Sequence, residues 1–307
     1  MATYVVEALD EVTLDIAGSE GKLAHCDLMS PYVWAEGKRY RILVRVVPNP
    51  LGPDDPTGVI WAGDSDYGLN FVMRHEPSIV PGPDPIDAGG CEDPTVVLGA
   101  KGDYRIFYTG VDRARRQGSM LVAEGPDLER LTKRQVMLSA PKGEGNIKEA
   151  TLAQGSDGRF HLFHEYARDN ASRIGVAQGP GIEGPWQFAD DPFTVREDSW
   201  DNWHLSTGPI VQCEGQDPVM FYNGATVDAR WRIGWISFSP DFSRVTGRGI
   251  EPLLVPPPAI DRVATDIAFA ASCIVEGDDI FLYYSLEDRI LRRATVRRYE
   301  RETEVKP

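Results

Sequence analysis

The chain contains 307 residues, of which 42% are hydrophobic and 26% are charged, a composition too apolar for a disordered protein. Its 32 basic and 47 acidic residues give a net charge of −15, which disfavours binding to nucleic acid or to an anionic membrane surface. No apolar run approaches the roughly 18 residues that span a bilayer, and the first residues lack the basic and apolar regions of a secretory signal. We therefore expect a soluble, cytoplasmic protein whose partners include neither nucleic acid nor a membrane.

Five short segments along the chain share one pattern: a turn rich in Gly or Asp, then a β-branched and aromatic run that ends in a polar residue. They recur about sixty residues apart, a period typical of repeat architectures. The polar residues that end these runs are Arg45, Thr109, Glu165, Asn223 and Ser285. Because five such units account for nearly the whole chain, we predict a single domain over residues 1–307.

Each unit carries signals for up to four strands. A short apolar segment precedes each run across a turn of the hairpin type, a third strand follows, and several units add a fourth. Four-stranded sheets repeated radially form propellers, so we predict an all-β fold, a five-bladed β-propeller. The fifth unit lacks a fourth strand, which we expect the N-terminal segments TYVVEA and VTLDI to supply. A five-repeat sandwich or solenoid is the alternative.

In a closed propeller the innermost strands converge on a central channel, so the polar residues at their ends face a shared pocket. The starts of the first strands contribute Ser30, Asp93, Glu149 and Gly208. The ends of the second strands contribute the five polar residues named above. Two carboxyl groups in the first set and Glu165 in the second form a candidate acid/base site.

The sequence contains no motif for a bound cofactor or metal. Its four cysteines are far apart, with no C-x-x-C pair and no histidine at ligand spacing, so we expect reduced thiols. A Gly-rich phosphate loop, a nucleophile elbow and a zinc-binding helix motif are all absent from the sequence. We therefore predict chemistry that requires neither a cofactor nor a metal.

Motifs in all five units resemble glycoside hydrolase family 130. The segment GGCEDPTVVLGAKGDYRIFYTGVD is similar to the signature in which Glu-Asp-Pro-Arg precedes a strand ending in Tyr-Thr. In chain order, RILVRVV, NIKEATL with LFHEY, STGPIVQ with MFYNGA, and FAASCIVEGDDIFLYYSLEDRI resemble the motifs of the other blades. The resemblance covers about residues 25–296 and implies a five-bladed propeller that cleaves glycosides, commonly β-mannosides, by phosphorolysis or hydrolysis with inversion.

The resemblance also implies roles for individual residues. Asp93 matches the proton donor to the leaving group, a role that a crowded pocket favours by raising the pKa of a carboxyl group. A turn-capping role before Pro94 is the alternative. Arg45, Lys148 and Asp288 match family positions that contact sugar or phosphate, and Tyr108, His164 and Asn223 are further candidates for substrate binding. The alternatives left open are an ion pair between blades for Arg45, a solvated loop lysine for Lys148 and a hairpin turn for Asp288.

Three departures from the family pattern weaken the case for phosphorolysis. The family phosphorylases have Arg at the position of Glu165 and His at that of Asn223, and Arg usually stands where this chain has Thr95. A phosphate dianion requires a basic cluster, and Glu165 would repel it. An inverting hydrolase instead needs a second carboxylate to activate water, so Glu165 is our first choice for the base and Glu149 the second. An ion pair of Glu165 with Lys148 or Arg45 remains the alternative.

The segment WDNWHLSTG precedes the first strand of the fourth unit. Its Trp200 and Trp203 are candidates for stacking on sugar or for burial in the core, and His204 for a hydrogen bond near the site. We expect an inverting hydrolase of a small oligosaccharide or glycoside, with β-mannosides among the candidates and a homo-oligomer left open. The alternatives are a phosphorylase of the same family, a furanosidase of the family 43 type using Asp27, Asp93 and Glu149, and a carbohydrate-binding propeller without catalysis.

Overall fold

A computed structural model describes residues 2–16, 21–99, 102–141, 145–261 and 264–300. Regular structure in these residues is β-strand, apart from one short 3₁₀ turn at Pro85–Asp87. The part of the chain that the structure describes contains no helix with the length and apolar character that crossing a bilayer requires. The fold is all-β, as the alternation of short apolar runs and Gly- or Asp-containing turns predicts.

The strands form five antiparallel blades, each built mainly from consecutive segments of the chain. Blade 1 consists of β2 (Cys26–Glu36), β3 (Arg39–Pro48), β4 (Val59–Ser65) and β5 (Asn70–Met73). Blade 2 consists of β6 (Gly90–Leu98), β7 (Tyr104–Val111), β8 (Gly118–Gly125) and β9 (Thr132–Leu138). Blade 3 consists of β10 (Gly145–Gln154), β11 (Phe160–Arg168), β12 (Ala171–Gly179) and β13 (Gln187–Ala189).

Blade 4 has the same strand order, but each of its first three strands is interrupted. Its upper part contains β14 (His204–Ser206), β17 (Asn223–Ala225) and β18 (Trp231–Ile233). Its lower part contains β15 (Ile210–Val211), β16 (Val219–Met220), β19 (Ile236–Phe238) and β20 (Val245–Arg248). Gly208 lies at one interruption, where a Cβ atom would come within 1.9 Å of the carbonyl oxygen of Phe221. Only glycine permits this close approach of the two backbones.

Blade 5 combines both ends of the described chain. It contains β21 (Ala268–Glu276), β22 (Asp279–Leu286) and β23 (Ile290–Glu300), and its outermost strand is β1 (Ala2–Asp15). β1 pairs antiparallel with β23 from Ala2 to Val12, and its last residues pair in parallel with β5 of blade 1. The prediction that an N-terminal strand completes the fifth blade is therefore confirmed.

The five blades form a ring around a central channel. The first strand of each blade contacts the first strand of the next, and β21 of blade 5 contacts β2 of blade 1. All five first strands line a cavity of about 280 Å³. A separate cluster of buried apolar side chains lies between each pair of neighbouring blades, including blades 5 and 1. The structure is thus a five-bladed β-propeller whose core consists of these interfaces.

Candidate active site

Five strand pairs lie at the same level of the propeller, one at the upper end of each blade. Each pair joins a first-strand residue to the second-strand residue that the repeat singles out. The pairs are Met29 with Arg45, Glu92 with Thr109, Lys148 with Glu165, Ser206 with Asn223, and Phe269 with Ser285. Because the first strands surround the channel, these residues form a ring at its upper end, which we call the upper ring.

A β-bulge follows the upper ring in blades 1, 2 and 3. The first-strand residues Ser30, Asp93 and Glu149 have φ values of 48°, 50° and 47°, and the pairing register shifts beside each of them. Left-handed φ is costly for a residue with a Cβ atom and is typical of functional sites, where a bulge redirects a side chain. The same backbone device therefore recurs at both candidate carboxyl groups of the first strands.

A charged network crosses blades 1, 2 and 3 at the level of the upper ring. Arg45 donates to the Glu92 carboxylate over 2.7 Å, and Lys148 donates to its other oxygen over 3.2 Å. Burial alone would raise the pKa of Glu92, but the two cations hold it below its usual range. The alternative of an ion pair between blades is thus what the structure shows for Arg45, and Lys148 is a partly buried strand residue, not a solvated loop lysine.

Asp93 lies beside this network and is only 5% exposed. Its Oδ1 accepts a hydrogen bond of 2.7 Å from the Ser30 hydroxyl and lies 3.6 Å from a guanidinium nitrogen of Arg45. Burial, reinforced by the Glu92 charge, raises the pKa of Asp93 despite the nearby Arg45. Asp93 is therefore a strand residue with a buried carboxyl group that is favoured in its protonated form, not a turn cap.

Glu149 and Glu165 lie in the electrostatic field of Asp93. Burial, the Asp93 charge and the Glu165 charge raise the pKa of Glu149 well above its usual range. Burial also raises the pKa of Glu165, but the Ser206 hydroxyl, the Lys148 ammonium and the Ser172 hydroxyl oppose this shift. Three carboxyl groups with mutually dependent protonation thus share the end of the channel, which is the arrangement that divides acid and base roles between neighbouring groups.

The Glu165 carboxylate is positioned by its own blade. The Ser172 hydroxyl on β12 donates to Glu165 Oε1 over 2.8 Å, while the Ser172 backbone N–H donates to Nδ1 of His204 over 3.1 Å. The ion pairs of Lys148 and Arg45 are made with carboxylates of blade 2. The Glu165 carboxyl group is therefore supported by the Ser172 hydroxyl, with the Lys148 ammonium nearby.

Asp288 approaches the site from blade 5. It lies in the β22–β23 turn with a φ of 53°, which agrees with the hairpin-turn reading. Burial raises the pKa of the Asp288 carboxyl group above its usual range. The Arg45 charge opposes this shift, and the Asp93 and Asp27 charges add to it. Asp288 therefore combines a turn position with a place in the field of the charged network.

Three predicted site residues have buried side chains that contact other groups of the protein. Tyr108 is 1% exposed and donates to the buried Asp87 carboxylate over 3.0 Å. His164 is 1% exposed, its Nδ1 lies 3.2 Å from the Leu162 carbonyl oxygen, and burial lowers its pKa to about 4. Asn223 is inaccessible and uses its amide to join the first strands of blades 4 and 5: it donates to Thr207 O and Ala270 O and accepts from the Ala270 N–H.

The two tryptophans before blade 4 differ in their surroundings. Trp200 stacks on Tyr222 at 5.6 Å between ring centres and packs against the cluster between blades 3 and 4. Trp203 is exposed, and its backbone is held by Ala225 and Arg173. His204 follows at the start of β14, where burial and the nearby Arg173 lower its pKa.

The structure adds residues that the sequence did not single out. Glu92 binds both cations, and Ser172 and Ser206 lie against Glu165. Trp231 and Phe269 contribute partly exposed aromatic rings near His204. Glu92 and Phe269 could have been found from the repeat, because each occupies the same first-strand position of its blade as Lys148. Within the described ranges, no group of three or more histidine, cysteine or acidic side chains has the arrangement that holds a metal ion.

Solved structures share this fold. A β-1,2-mannobiose phosphorylase from Listeria innocua matches 95% of this chain and 91% of its own at 16% identity, with a TM-score of 0.73. A structure described in terms of family 130 glycoside hydrolases that target β-1,2 mannosidic linkages in Candida mannan matches 88% and 84% at 19% identity, with a TM-score of 0.74. A glycosyl hydrolase from Bacteroides ovatus matches 88% and 84% at 18% identity, with a TM-score of 0.70. At this identity the likeness shows that the fold is shared. No family model and no curated protein matches the sequence.

Proposed function

We propose that this protein is an inverting glycoside hydrolase that acts on a small oligosaccharide or glycoside, with β-mannosides among the candidate substrates. The observation that carries the proposal is the group of Asp93, Glu149 and Glu165 at the channel end, where each carboxyl group has a raised pKa. The fold shared with family 130 phosphorylases and hydrolases supports carbohydrate as the substrate class.

Asp93 is proposed as the general acid. Its buried carboxyl group favours the protonated form, and Ser30 and Arg45 fix its position. Protonation of the glycosidic oxygen by Asp93 lets the leaving sugar depart as a neutral alcohol. Arg45, held by Glu92 and the Thr57 carbonyl oxygen, then stabilises the carboxylate that remains.

Glu165 is proposed as the general base that activates water. The Ser172 hydroxyl orients its carboxylate, and the Lys148 charge favours the ionised form. Attack by this water on the anomeric carbon, on the face opposite the leaving group, gives inversion of configuration. Glu149 is the second candidate for the base, but its pKa lies well above its usual range because burial and both neighbouring carboxylates favour its neutral form.

The charge balance supports water over phosphate as the attacking molecule. The described site contains the carboxyl groups of Glu92, Asp93, Glu149 and Glu165, while its cations Arg45 and Lys148 already contact blade 2 carboxylates. A phosphate dianion would have to enter this field without a free basic group, which is unfavourable. The fold is shared with a β-1,2-mannobiose phosphorylase and with a structure described in terms of hydrolases, so the fold does not favour either reaction.

The family 43 alternative depends on Asp27 as a third carboxylate. The Asp27 carboxylate is paired with Arg289 at 3.2 Å and accepts from Asn49 over 2.9 Å. Asp27 therefore has a structural partner, Arg289, in the β22–β23 turn of blade 5. This supports Asp93 and Glu165, not Asp27, as the catalytic carboxyl groups.

A screen of aryl glycosides and disaccharides, with and without inorganic phosphate, tests the proposed function. We expect release of free reducing sugar at a rate that phosphate does not increase. Phosphate-dependent formation of a sugar 1-phosphate would establish the phosphorylase instead. Saturable sugar binding without turnover of any substrate in the screen would favour the non-catalytic binding protein.

A further inference from the structure

Blades 4 and 5 carry three aromatic side chains that contact one another outside the propeller core. The rings of His204 and Trp231 lie 5.5 Å apart with an angle of 32° between their planes, and Trp231 meets Phe269 edge to face at 5.3 Å. All three are partly exposed, and none belongs to the buried clusters between the blades. We call these three side chains the aromatic platform.

The strand register explains how the platform forms. His204 and Trp231 both pair with Ala225, one on each side of it, so their rings meet over the small methyl group of Ala225. Ala225 is completely covered. The backbone of Trp231 bridges to Ile267, just before β21, which brings Phe269 against the indole ring. The platform thus rests on regular backbone pairing in two neighbouring blades and is preorganised for stacking.

The platform continues directly into the carboxylate site. Phe269 occupies the upper-ring position of blade 5, the position that Glu92 and Lys148 occupy in blades 2 and 3. His204 accepts from the backbone N–H of Ser172, whose hydroxyl donates to Glu165. The platform is therefore next to the proposed base, whereas the proposed acid Asp93 lies in blade 2, which is not adjacent to blade 4 or blade 5 in the ring.

We infer that the aromatic platform is the subsite for the glycone, the sugar ring that keeps its anomeric carbon after cleavage. In inverting hydrolysis the base and its water are on the opposite face of the anomeric carbon from the leaving group, so groups beside Glu165 meet the glycone. Pyranose rings present C–H-rich faces that pack on aromatic rings, while their hydroxyl groups reach polar neighbours. The inference rests on the proposed function for the class of ligand and for the assignment of base and acid.

The first test measures binding without turnover. Mannose, glucose and galactose are titrated into wild-type protein, and binding is followed by isothermal titration calorimetry. We expect saturable binding of at least one of these sugars, also in Asp93→Asn, and affinity lower by about tenfold or more in Trp231→Ala. Trp231→Phe keeps a ring and should retain most of the affinity, and the exposed Tyr67→Ala in blade 1 is the matched control for loss of an aromatic ring.

The second test compares substrates in turnover. If the platform holds the glycone, Trp231→Ala raises KM by a similar factor for an aryl glycoside and for a disaccharide with the same glycone. A rise confined to the disaccharide would place the leaving sugar on the platform and overturn the inference. Sugar binding that Trp231→Ala leaves unchanged, or absence of binding by all three sugars, would also overturn it. Sugar binding that depends on Trp231 in a protein with no hydrolytic activity would uphold the platform and overturn the proposed function.

Discussion

The two sides of the channel entrance are built from equivalent positions but differ in chemistry. In blades 1, 2 and 3 the upper ring and its bulges carry charged groups, among them Arg45, Asp93 and Glu165. In blades 4 and 5 the same level carries Ser206, the buried Asn223 and the aromatic ring of Phe269. The backbone differs as well, because the bulges at Ser30, Asp93 and Glu149 belong to the charged half and the interrupted strands to blade 4. Backbone and side chains together divide the pocket into a charged half and an aromatic half.

The two halves are also stabilised in different ways. The charged half depends on ion pairs between blades, in which Glu92 is surrounded by Arg45 and Lys148. In the aromatic half, the segment before β14 is fixed by the inaccessible carboxylate of Asp201, which is bound by Arg196 and Arg248 on the outer side of blade 4. The ion pairs of Asp201 therefore stabilise blade 4 and the segment before it, whereas those of Glu92 join blades 1, 2 and 3.

The largest effect should come from the proposed acid. Asp93→Asn removes the transferable proton and should lower kcat for a poor leaving group by about 10²- to 10⁴-fold. Steady-state kinetics with a disaccharide measures this loss. Asp278→Asn, at the exposed β21–β22 turn on the opposite side of the propeller, should leave kcat unchanged. Near-normal turnover by Asp93→Asn would show that Asp93 of the charged half is not the general acid.

The two candidate bases should differ in effect. Glu165→Gln keeps the side-chain size and the Ser172 contact but cannot accept a proton, so we expect a loss of kcat of about 10²-fold or more. Glu149→Gln should cause a smaller loss, because the neutral form of Glu149 is already favoured. Steady-state kinetics of both variants on one aryl glycoside measures the two losses of kcat. A larger loss in Glu149→Gln would identify Glu149, not Glu165, as the base.

The aromatic half should lose stability when the buried charge of Asp201 is removed. Asp201→Ala leaves two arginines without their carboxylate, and we expect the free energy of unfolding to fall by about 3–5 kcal/mol. Urea denaturation measures the change. Equal stability of mutant and wild type would show that Asp201 does not fix this segment.

The stabilisation by Asp201 should depend on pH. Burial opposes ionisation of its carboxyl group, but hydrogen bonds from Arg196 and Tyr222 and the Arg248 charge hold its pKa below the usual range. The Asp201 contribution is therefore present above its unfolded-state pKa of about 3.9 and is lost as pH falls through the lower folded-state pKa. The difference in stability between wild type and Asp201→Ala should accordingly narrow in strong acid and stay constant near neutral pH.

The smallest effect concerns the pH profile of the charged half. Lys148 lowers the pKa of both Asp93 and Glu165, although burial raises each of them. Lys148→Gln should therefore move both limbs of the kcat/KM profile to higher pH, because the base loses its proton and the acid retains its proton at higher pH. An unchanged or acid-shifted profile would show that Lys148 does not act on these two groups.

The sequence predicted the blades because strand length, turn composition and a period of about sixty residues are local features. It also predicted the convergence of Asp93, Glu149 and Glu165, since the corresponding strand ends of successive repeats meet at the same end of the channel. It did not predict that the side chains of Tyr108 and Asn223 are buried, because their hydrogen bonds with Asp87 and with the backbone of Ala270 arise from packing within and between blades. The aromatic platform depends on a similar long-range contact between Trp231 and Phe269.

The configuration of the first product tests the central claim most directly. The claim is that the charged half directs water, not phosphate, to the anomeric carbon. Proton NMR of an early reaction mixture, recorded with and without inorganic phosphate, should show free sugar with the inverted anomeric configuration, formed at the same rate in both. A sugar 1-phosphate, or free sugar with retained configuration, would contradict the account.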